Sequence, residues 1–577
     1  MPRRLPWPTA VTVAIGAFLA VVTIAWVALW PARSSVAAPP GRGSGPEATV
    51  NAFAPDLLHG DNGLPASPDL PLRHGPLGTP VDTEGNAIDA HEGQDIEYFA
   101  GSYYLYGVRY GCGTHIDLSD DAPFCGFSAY RSDDLMHWRP AGVLDSPRLR
   151  AICASYCAYP KVIFSPRLGR YLLYFSSDNG GNLGSAVPSS RWLAESSSPT
   201  GPWSNLHEPK LGGGGSDGYS LAIGRDGRAY LVDFAVKSPT RTDIWVDPLN
   251  ADYTATAGSA TMVTSGAFDG VGVFERGPYW YLTLSQDARF FGPAKLVYLR
   301  SSSPLGPWSA PGGSATPVTV SDDSCGGTAQ SVSVLPSATG PVPVELIDLY
   351  RSSPGDAGAG LPARLRHGDW NQALAGRYWA PVAFDPGGQI QPLTCTADTH
   401  IPLALPSRAQ PPPVYQPDCR ITRGSVIEQQ WTVPRTESIR VPVFQRAYVT
   451  DPALPARTQP PTAVGSPLMI DLVTPHGVDH WTVRAGDVSW APREVTLTLP
   501  RAVPAGSRVA LRLWTAASDG CYGVLIGSAA GSPDAGRYSA LVGGVRRPAP
   551  GVRLLVNRDR APGAAGTQPP PGESRPR

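Results

Sequence analysis

What this sequence has least of is charge gathered into patches. Only 16% of the 577 residues are Asp, Glu, Lys or Arg, the formal net charge is -1, and the basic residues scatter except at the two ends. That distribution argues against nucleic acid as a partner. Long amphipathic helical patterns are missing outside the N-terminus, which removes helical bundles and solenoids from consideration. The eight cysteines include no CxxC pair and no Cys/His spacing suited to a zinc site. Their number fits an oxidising compartment instead.

Glycine and proline, 63 of each, are abundant. Together with the missing helical periodicity they indicate an all-β protein with many turns. The N-terminus carries Arg3 and Arg4 and then an uncharged run, "TAVTVAIGAFLAVVTIAWVALW", over 9–30. It is long enough to cross roughly 30 Å of hydrocarbon as a helix. With "SVA" at 35–37 as a cleavage site, it also reads as a signal peptide. Both readings leave 1–8 in the cytoplasm and export the rest, to the cell surface or beyond it.

The eight letters "SSSPTGPW" at 196–203 return almost unchanged as "SSSPLGPW" at 301–308. Short apolar runs entered through glycine recur as well: "GSYYLYG" at Gly101, "GRYLLYF" at Gly169, "GRAYLVDF" at Gly227, "GPYWYLTL" at Gly277 and "GPVPVELIDLY" at Gly340. Five strand-like runs at intervals of roughly fifty to seventy residues predict a five-bladed β-propeller over 81–405. The Gly-Pro-Trp endings supply turns and a tryptophan to pack between blades, and "DLMHW" at 134–138 matches them in the first blade. Residues 31–80 read as a Pro/Gly/Ala-rich linker, 406–418 as a hinge, 419–560 as a jelly-roll-like β-sandwich accessory domain, and 561–577 as a disordered tail. The cysteines flanking short loops predict two local disulfides, Cys112 with Cys125 and Cys153 with Cys157. Partners for Cys325, Cys395, Cys419 and Cys521 stay open.

Carboxylates for chemistry in a propeller belong near the start of each repeat, where the innermost strands meet the axis. His91, Glu92 and Asp95 precede the first run. At this point "AHEG", "YGCG", "FCGFSAYRSDDLMHW", "PKVIFSPRLGRYLLY", "DGRAYL" and "SCGGTAQSVSVLP", taken in order with the repeats, resemble the five-bladed propeller enzymes of glycoside hydrolase family 43. The likeness is strongest to actinobacterial members near the exo-β-1,3-galactanase branch and covers about 81–405.

The resemblance implies hydrolysis of a glycosidic bond with inversion, by a base, an acid and a third carboxylate that tunes the acid. It points to Glu92 as base, with Asp95 as fallback and a solvated loop acid as the bland reading. Asp217 in "GGGGSDGYS" matches the tuning carboxylate, or is a turn aspartate. Asp269 in "SGAFDGVGVFERG" stands where the family has the glutamate of its general acid, one methylene longer, with Glu275 as the lesser candidate. Gln330 corresponds to a glutamine that handles the water. His91, Asp178 and Trp370 are substrate-binding candidates, Trp370 by stacking on a sugar face. Ala158 and Tyr159 replace a glutamate and an arginine, which weakens galactose recognition of that kind. No metal or other cofactor is required, and a structural calcium near His91 remains an alternative to a hydrogen-bonded core histidine.

The expected activity is therefore that of a monomeric glycosidase, reaching the membrane through its N-terminal segment. Its substrate would be a galactose- or arabinofuranose-containing polysaccharide. A catalytically inactive carbohydrate-binding propeller is the rival, and a surface scaffold without sugar affinity the third reading.

Overall fold

The computed structural model describes residues 46–51, 78–113, 124–153, 156–178, 190–213, 218–238, 240–286, 293–349, 369–370, 372–396, 399–407, 409–448, 464–528, 536–542, 545–549 and 552–558. Among the described residues the all-β expectation holds but for one short helix, Pro147–Ile152, and a few single turns of 3-10 helix. Strand β1 is Glu47–Val50. The first sheet then comprises β2 (His91–Phe99), β3 (Ser102–Val108), β4 (Phe127–Ser132) and β5 (Arg139–Leu144). The second has β6 (Tyr156–Ser165), β7 (Arg170–Asp178), β8 (Ser190–Ser196) and β9 (Ser204–His207). The third has β10 (Tyr219–Ile223), β11 (Ala229–Ser238), β12 (Arg241–Pro248) and β13 (Thr261–Gly266). The fourth has β14 (Phe268–Arg276), β15 (Tyr279–Gln286), β16 (Lys295–Ser301) and β17 (Val318–Ser321). The fifth pairs β18 (Thr328–Leu335) with β19 (Val342–Leu349) and, beyond the short β20 (Asp369–Trp370), with β21 (Gly376–Pro381). β22 (Thr399–Pro402) pairs antiparallel with β1.

All five glycine-led runs are the second strands of their sheets. They read so clearly because they are covered on both faces: every residue of β3 is buried, as is nearly every one of β19, whereas the fourth strands β5 and β13 contain no buried residue. The turn tryptophans fill the gaps between sheets. Trp138 and Trp308 are buried, each donating its indole N–H to a nearby carbonyl, of Leu135 at 2.9 Å and of Pro304 at 3.1 Å.

Shared cores carry the sheets around a circle. Tyr106, Val162 and Tyr219 belong to one core that spans the first three sheets. Val232 and Val273 join the third to the fourth, and Phe274 and Ile347 the fourth to the fifth. Ile96, Leu105, Leu335 and Leu346 join the fifth back to the first, together with Ala48 of β1 and Ile401 of β22. The strand β1 lies inside the stretch read as a linker. Its alternating Ala48 and Val50 are buried, and Asn51 continues it by bonding both backbone groups of Trp379.

Beyond the ring, a seven-stranded and a six-stranded sheet enclose a second core of Val443, Leu497, Tyr522, Ile427, Ile470 and Leu511. One of its strands, Tyr415–Ile421, begins inside the stretch read as a hinge. The two short-range disulfides are present as expected, and Cys325–Cys395 and Cys419–Cys521 complete the set. The apolar run 9–30 lies outside the described residues, and no described helix is long and apolar enough to cross a membrane.

One carboxyl is walled in between the fourth and fifth sheets. Glu345 of β19 is 2% exposed and accepts a hydrogen bond from Thr283 Oγ1 at 3.2 Å, while its other oxygen has no partner among the described residues. Burial raises its pKa from an ordinary 4.5 to about 8. Because the folded state prefers the protonated acid, stability is full below the unfolded pKa and falls as pH rises towards 8. The expected loss between pH 5 and pH 8 is roughly 3 kcal/mol. Glu345→Gln should flatten that dependence, which denaturant unfolding of both proteins at the two pH values would measure.

Candidate active site

An inner strand that kept perfect register would send alternate side chains into its two neighbouring interfaces and none across the axis. Four of the five inner strands break register near their starts: β2 between His91 and Asp95, β6 between Ala158 and Lys161, β14 between Phe268 and Val271, and β18 between Ala329 and Ser331. Such bulges bend a strand and re-aim a side chain. Glu92, Tyr159, Asp269 and Gln330 all lie in these breaks. Glu92 and Tyr159 have φ of 44° and 56°, unusual for residues with a Cβ. Strain of that kind clusters at functional sites.

Glycines let the bulges mesh. At Gly93, with φ +60°, a Cβ would stand 2.0 Å from the Tyr159 ring. At Gly270, with φ +82°, it would stand 2.1 Å from the Ala329 carbonyl oxygen and 3.2 Å from Gln330 Oε1. The first sheet is thereby fitted to the second, and the fourth to the fifth, at the level of the candidate residues.

Glu92 is buried and accepts a hydrogen bond from the Tyr110 hydroxyl at 3.3 Å. His91 stacks flat on Tyr110, with centroids 4.7 Å apart, and its Nε2 stands 3.4 Å from Asp89 Oδ1. Asp269 is half-buried, and no hydrogen bond to its carboxyl is present among the described residues. Burial alone pushes its pKa up to about 6, so it holds its proton in mildly acidic solution. Gln330 is buried one interlock away, facing Gly270.

Several sequence candidates sit elsewhere. Asp95 is buried and accepts the Val162 backbone N–H at 3.0 Å, so the fallback base braces the first sheet against the second. Glu275 is at the opposite end of β14 from Asp269 and pairs with Arg225 at 2.7 Å, which leaves it no part at the axis. Trp370 is in β20, whose partner is Thr436–Tyr448 of the seven-stranded sheet, so its backbone belongs to the sandwich rather than to the ring. Its aromatic composition carried no information about which sheet it would join. Asp178 ends β7, opposite Tyr156, and its side chain lies outside the described ones. Asp217 also lies outside the described residues. Among those described, no group of three His, Cys, Asp or Glu is arranged to hold a metal.

The structure adds groups that the sequence did not single out. Arg191, at the start of β8, is buried, stacks 3.7 Å from the Tyr219 ring centroid and pairs with the buried Asp233. Asp247 takes the Gly213 N–H at 2.7 Å beside them. Lys161 is buried among Asp95, Glu97 and Asp348, donates to the Gln94 carbonyl at 2.8 Å, and has its pKa lowered by burial. Tyr219 donates to the Tyr159 carbonyl at 2.7 Å and so continues the contacts from the second sheet to the third.

The arrangement offers a buried carboxyl on the first sheet and a carboxyl with a raised pKa on the fourth, separated by the fifth sheet one way round the ring and by the second and third the other way. Gly270→Ala should test the mesh, with Gly227→Ala as control. Gly227 has a similar φ of +77° but nothing within 4 Å of a new Cβ. Both substitutions carry a backbone strain of ~1–3 kcal/mol. Only Gly270→Ala should displace the bulge, so turnover should collapse there and survive in Gly227→Ala at matched thermal stability.

Residues 108–324 match the family model described as glycosyl hydrolases family 43. Similar solved structures include a family 43 β-1,3-galactosidase bound to galactodeoxynojirimycin, with 19% identity and a TM-score of 0.44 over 56% of this chain and 98% of that one. An exo-β-1,3-galactanase from Clostridium thermocellum has 19% identity and a TM-score of 0.44 over 61% and 72%. One from Phanerochaete chrysosporium with galactose has 16% and 0.40 over 78% and 99%. Comparison with curated proteins found no match.

Proposed function

We propose that this chain, whose residues 108–324 match the model of glycosyl hydrolases family 43, hydrolyses O-glycosyl bonds with a specific division of labour. Asp269 is the general acid and Glu92 the general base, and water attacks with inversion at the anomeric carbon. Glu92 takes a proton from the water as its oxygen bonds to that carbon. Asp269 gives its proton to the departing glycosidic oxygen. Asp217 is the third carboxylate that tunes the acid, as the motif resemblance implies.

The observation that carries this reading is Asp269 itself, a half-buried carboxyl whose pKa is raised to about 6 by desolvation and nothing else. A general acid must hold its proton near the working pH and be able to reach substrate. The placement of the two carboxyls on sheets that are not neighbours in the ring favours the wide gap of roughly 6.5–9.5 Å that inversion requires. The shorter aspartate, in place of the family's glutamate, is compatible with a bulge that advances its backbone towards the axis.

The substrate of this reading is a galactose- or arabinofuranose-containing polysaccharide, as the ordered motifs over 81–405 imply. Action outside the cytoplasm is part of it and is supported by four disulfides with no free cysteine among the described residues.

With Asp269 as acid, the rate should fall as pH rises through about 6, the direction expected when a group must stay protonated. Asp269→Asn should lower kcat on a polymer such as β-1,3-galactan by roughly 10²–10⁴-fold. It should act far better on an aryl glycoside, whose leaving group needs no proton. Equal loss on both substrates would remove Asp269 from the acid role. Glu92→Gln should fail on both while still binding sugar.

A further inference from the structure

Resting on Glu92 as the base, we propose that Tyr110 and Asp89 are positioning residues for it, and that the sandwich segment Ser489–Ala491 holds them in place. The second lobe is then a wall of the active site rather than a tethered accessory.

The connection can be followed atom by atom. Tyr110, 1% exposed, donates its hydroxyl to Glu92 Oε2 at 3.3 Å and stacks on His91. Its backbone is fixed by Asp89, a carboxyl with no exposure, which accepts the N–H of Tyr110 at 2.7 Å and that of Gly111 at 3.0 Å. Burial pushes the Asp89 pKa upward, but His91, the two N–H donors and Arg109 outweigh it and hold the carboxyl below its usual range. Asp89 is thus an ionised anchor for the turn that carries Tyr110.

The carbonyl of the same Gly111 is gripped from the sandwich. It accepts the Trp490 backbone N–H and the Ser489 hydroxyl, both at 2.9 Å. Trp490 is buried in the core of the first three sheets, and a Cβ at Gly113 would stand 2.8 Å from its Nε1. Two further bonds fasten the same segment: Ala87 N–H to the Pro492 carbonyl at 2.8 Å, and Glu494 N–H to Asn86 Oδ1 at 2.9 Å. The Cys112–Cys125 disulfide closes the loop just after Tyr110 and Gly111. One peptide therefore separates the sandwich's grip from the base's hydrogen-bond donor.

A hydroxyl donating to a carboxylate favours its ionised form. Among the described residues, the other titratable groups around this strand start include His91, Asp89, Arg109 and Tyr130 of the first sheet, Tyr159 and Lys161 of the second and Asp348 of the fifth. None of these changes in Tyr110→Phe, which keeps the stacking ring and removes only the donor. The test is the pH profile of kcat/KM on β-1,3-galactan, measured with the full chain.

Tyr110→Phe should move the acidic limb upward by about one unit, with a several-fold lower kcat and little change in KM. Ser489→Ala, a milder change on the sandwich, should move the limb in the same direction by less, and Ser489→Thr should restore it. A substitution that only loosened the fold would lower the amount of active protein and leave the limb where it was. An inactive Glu92→Gln beside unmoved limbs in Tyr110→Phe and Ser489→Ala would overturn this proposal and leave the base assignment standing. An active Glu92→Gln would overturn both.

Discussion

A ring of sheets is stable only if its last member finds its first, and here one buried carboxyl ties that meeting beside the shared apolar core. Asp348, at the end of β19, reaches into the first sheet and accepts the Gly93 N–H and the Gln94 side-chain N–H, both at 2.8 Å. Gln94 in turn accepts the Trp379 indole N–H at 3.1 Å and, at its carbonyl, the Ser331 hydroxyl and the Lys161 ammonium. Second, first and fifth sheets are thus tied at two consecutive residues. Those residues are in the bulge that carries Glu92, so the bonds that close the ring also set the backbone of the candidate base. Removing a partner from such a fully buried network costs more than the individual bonds suggest.

How much of this could be read in the sequence follows from where each strand lies. The second strands announced themselves because burial on both faces demands unbroken aromatic and branched residues between glycine turns. Four of the five first strands did not, because a bulge interrupts alternation at the place where function resides. Glu92, Asp269 and Gln330 were reached through an ordered set of motifs and not through periodicity. Asp348, Glu345, Arg191 and Asp233 were passed over since each gains its meaning from a partner far off in the chain. The same contrast governs the disulfides. Pairs separated by 13 and 4 residues were legible as loop closures, while those separated by 70 and 102 depend on how distant strands come together.

The seams between lobes were misjudged for a related reason. Composition marked 31–80 and 406–418 as connections, and proline and glycine do dominate them. Yet Glu47–Val50 needs only two inward apolar side chains to be a strand, and Tyr415 opens the sandwich within a proline-rich stretch. Trp370 shows the converse. An aromatic surrounded by ring-like sequence departs to pair with Thr436–Tyr448, so chain order and spatial membership diverge there.

The pairing of β1 with β22 bears on how this protein should be handled. Trimming the chain to begin after residue 51, a natural choice from composition, would strip β22 of its partner along Thr399–Pro402 and uncover the Trp379 backbone that Asn51 now caps. Unpaired N–H and C=O groups beside an apolar seam form a template on which a neighbouring molecule can add its own strand. Insolubility of such a shortened chain would then reflect an opened edge and not an intrinsic failure of the sheets to fold.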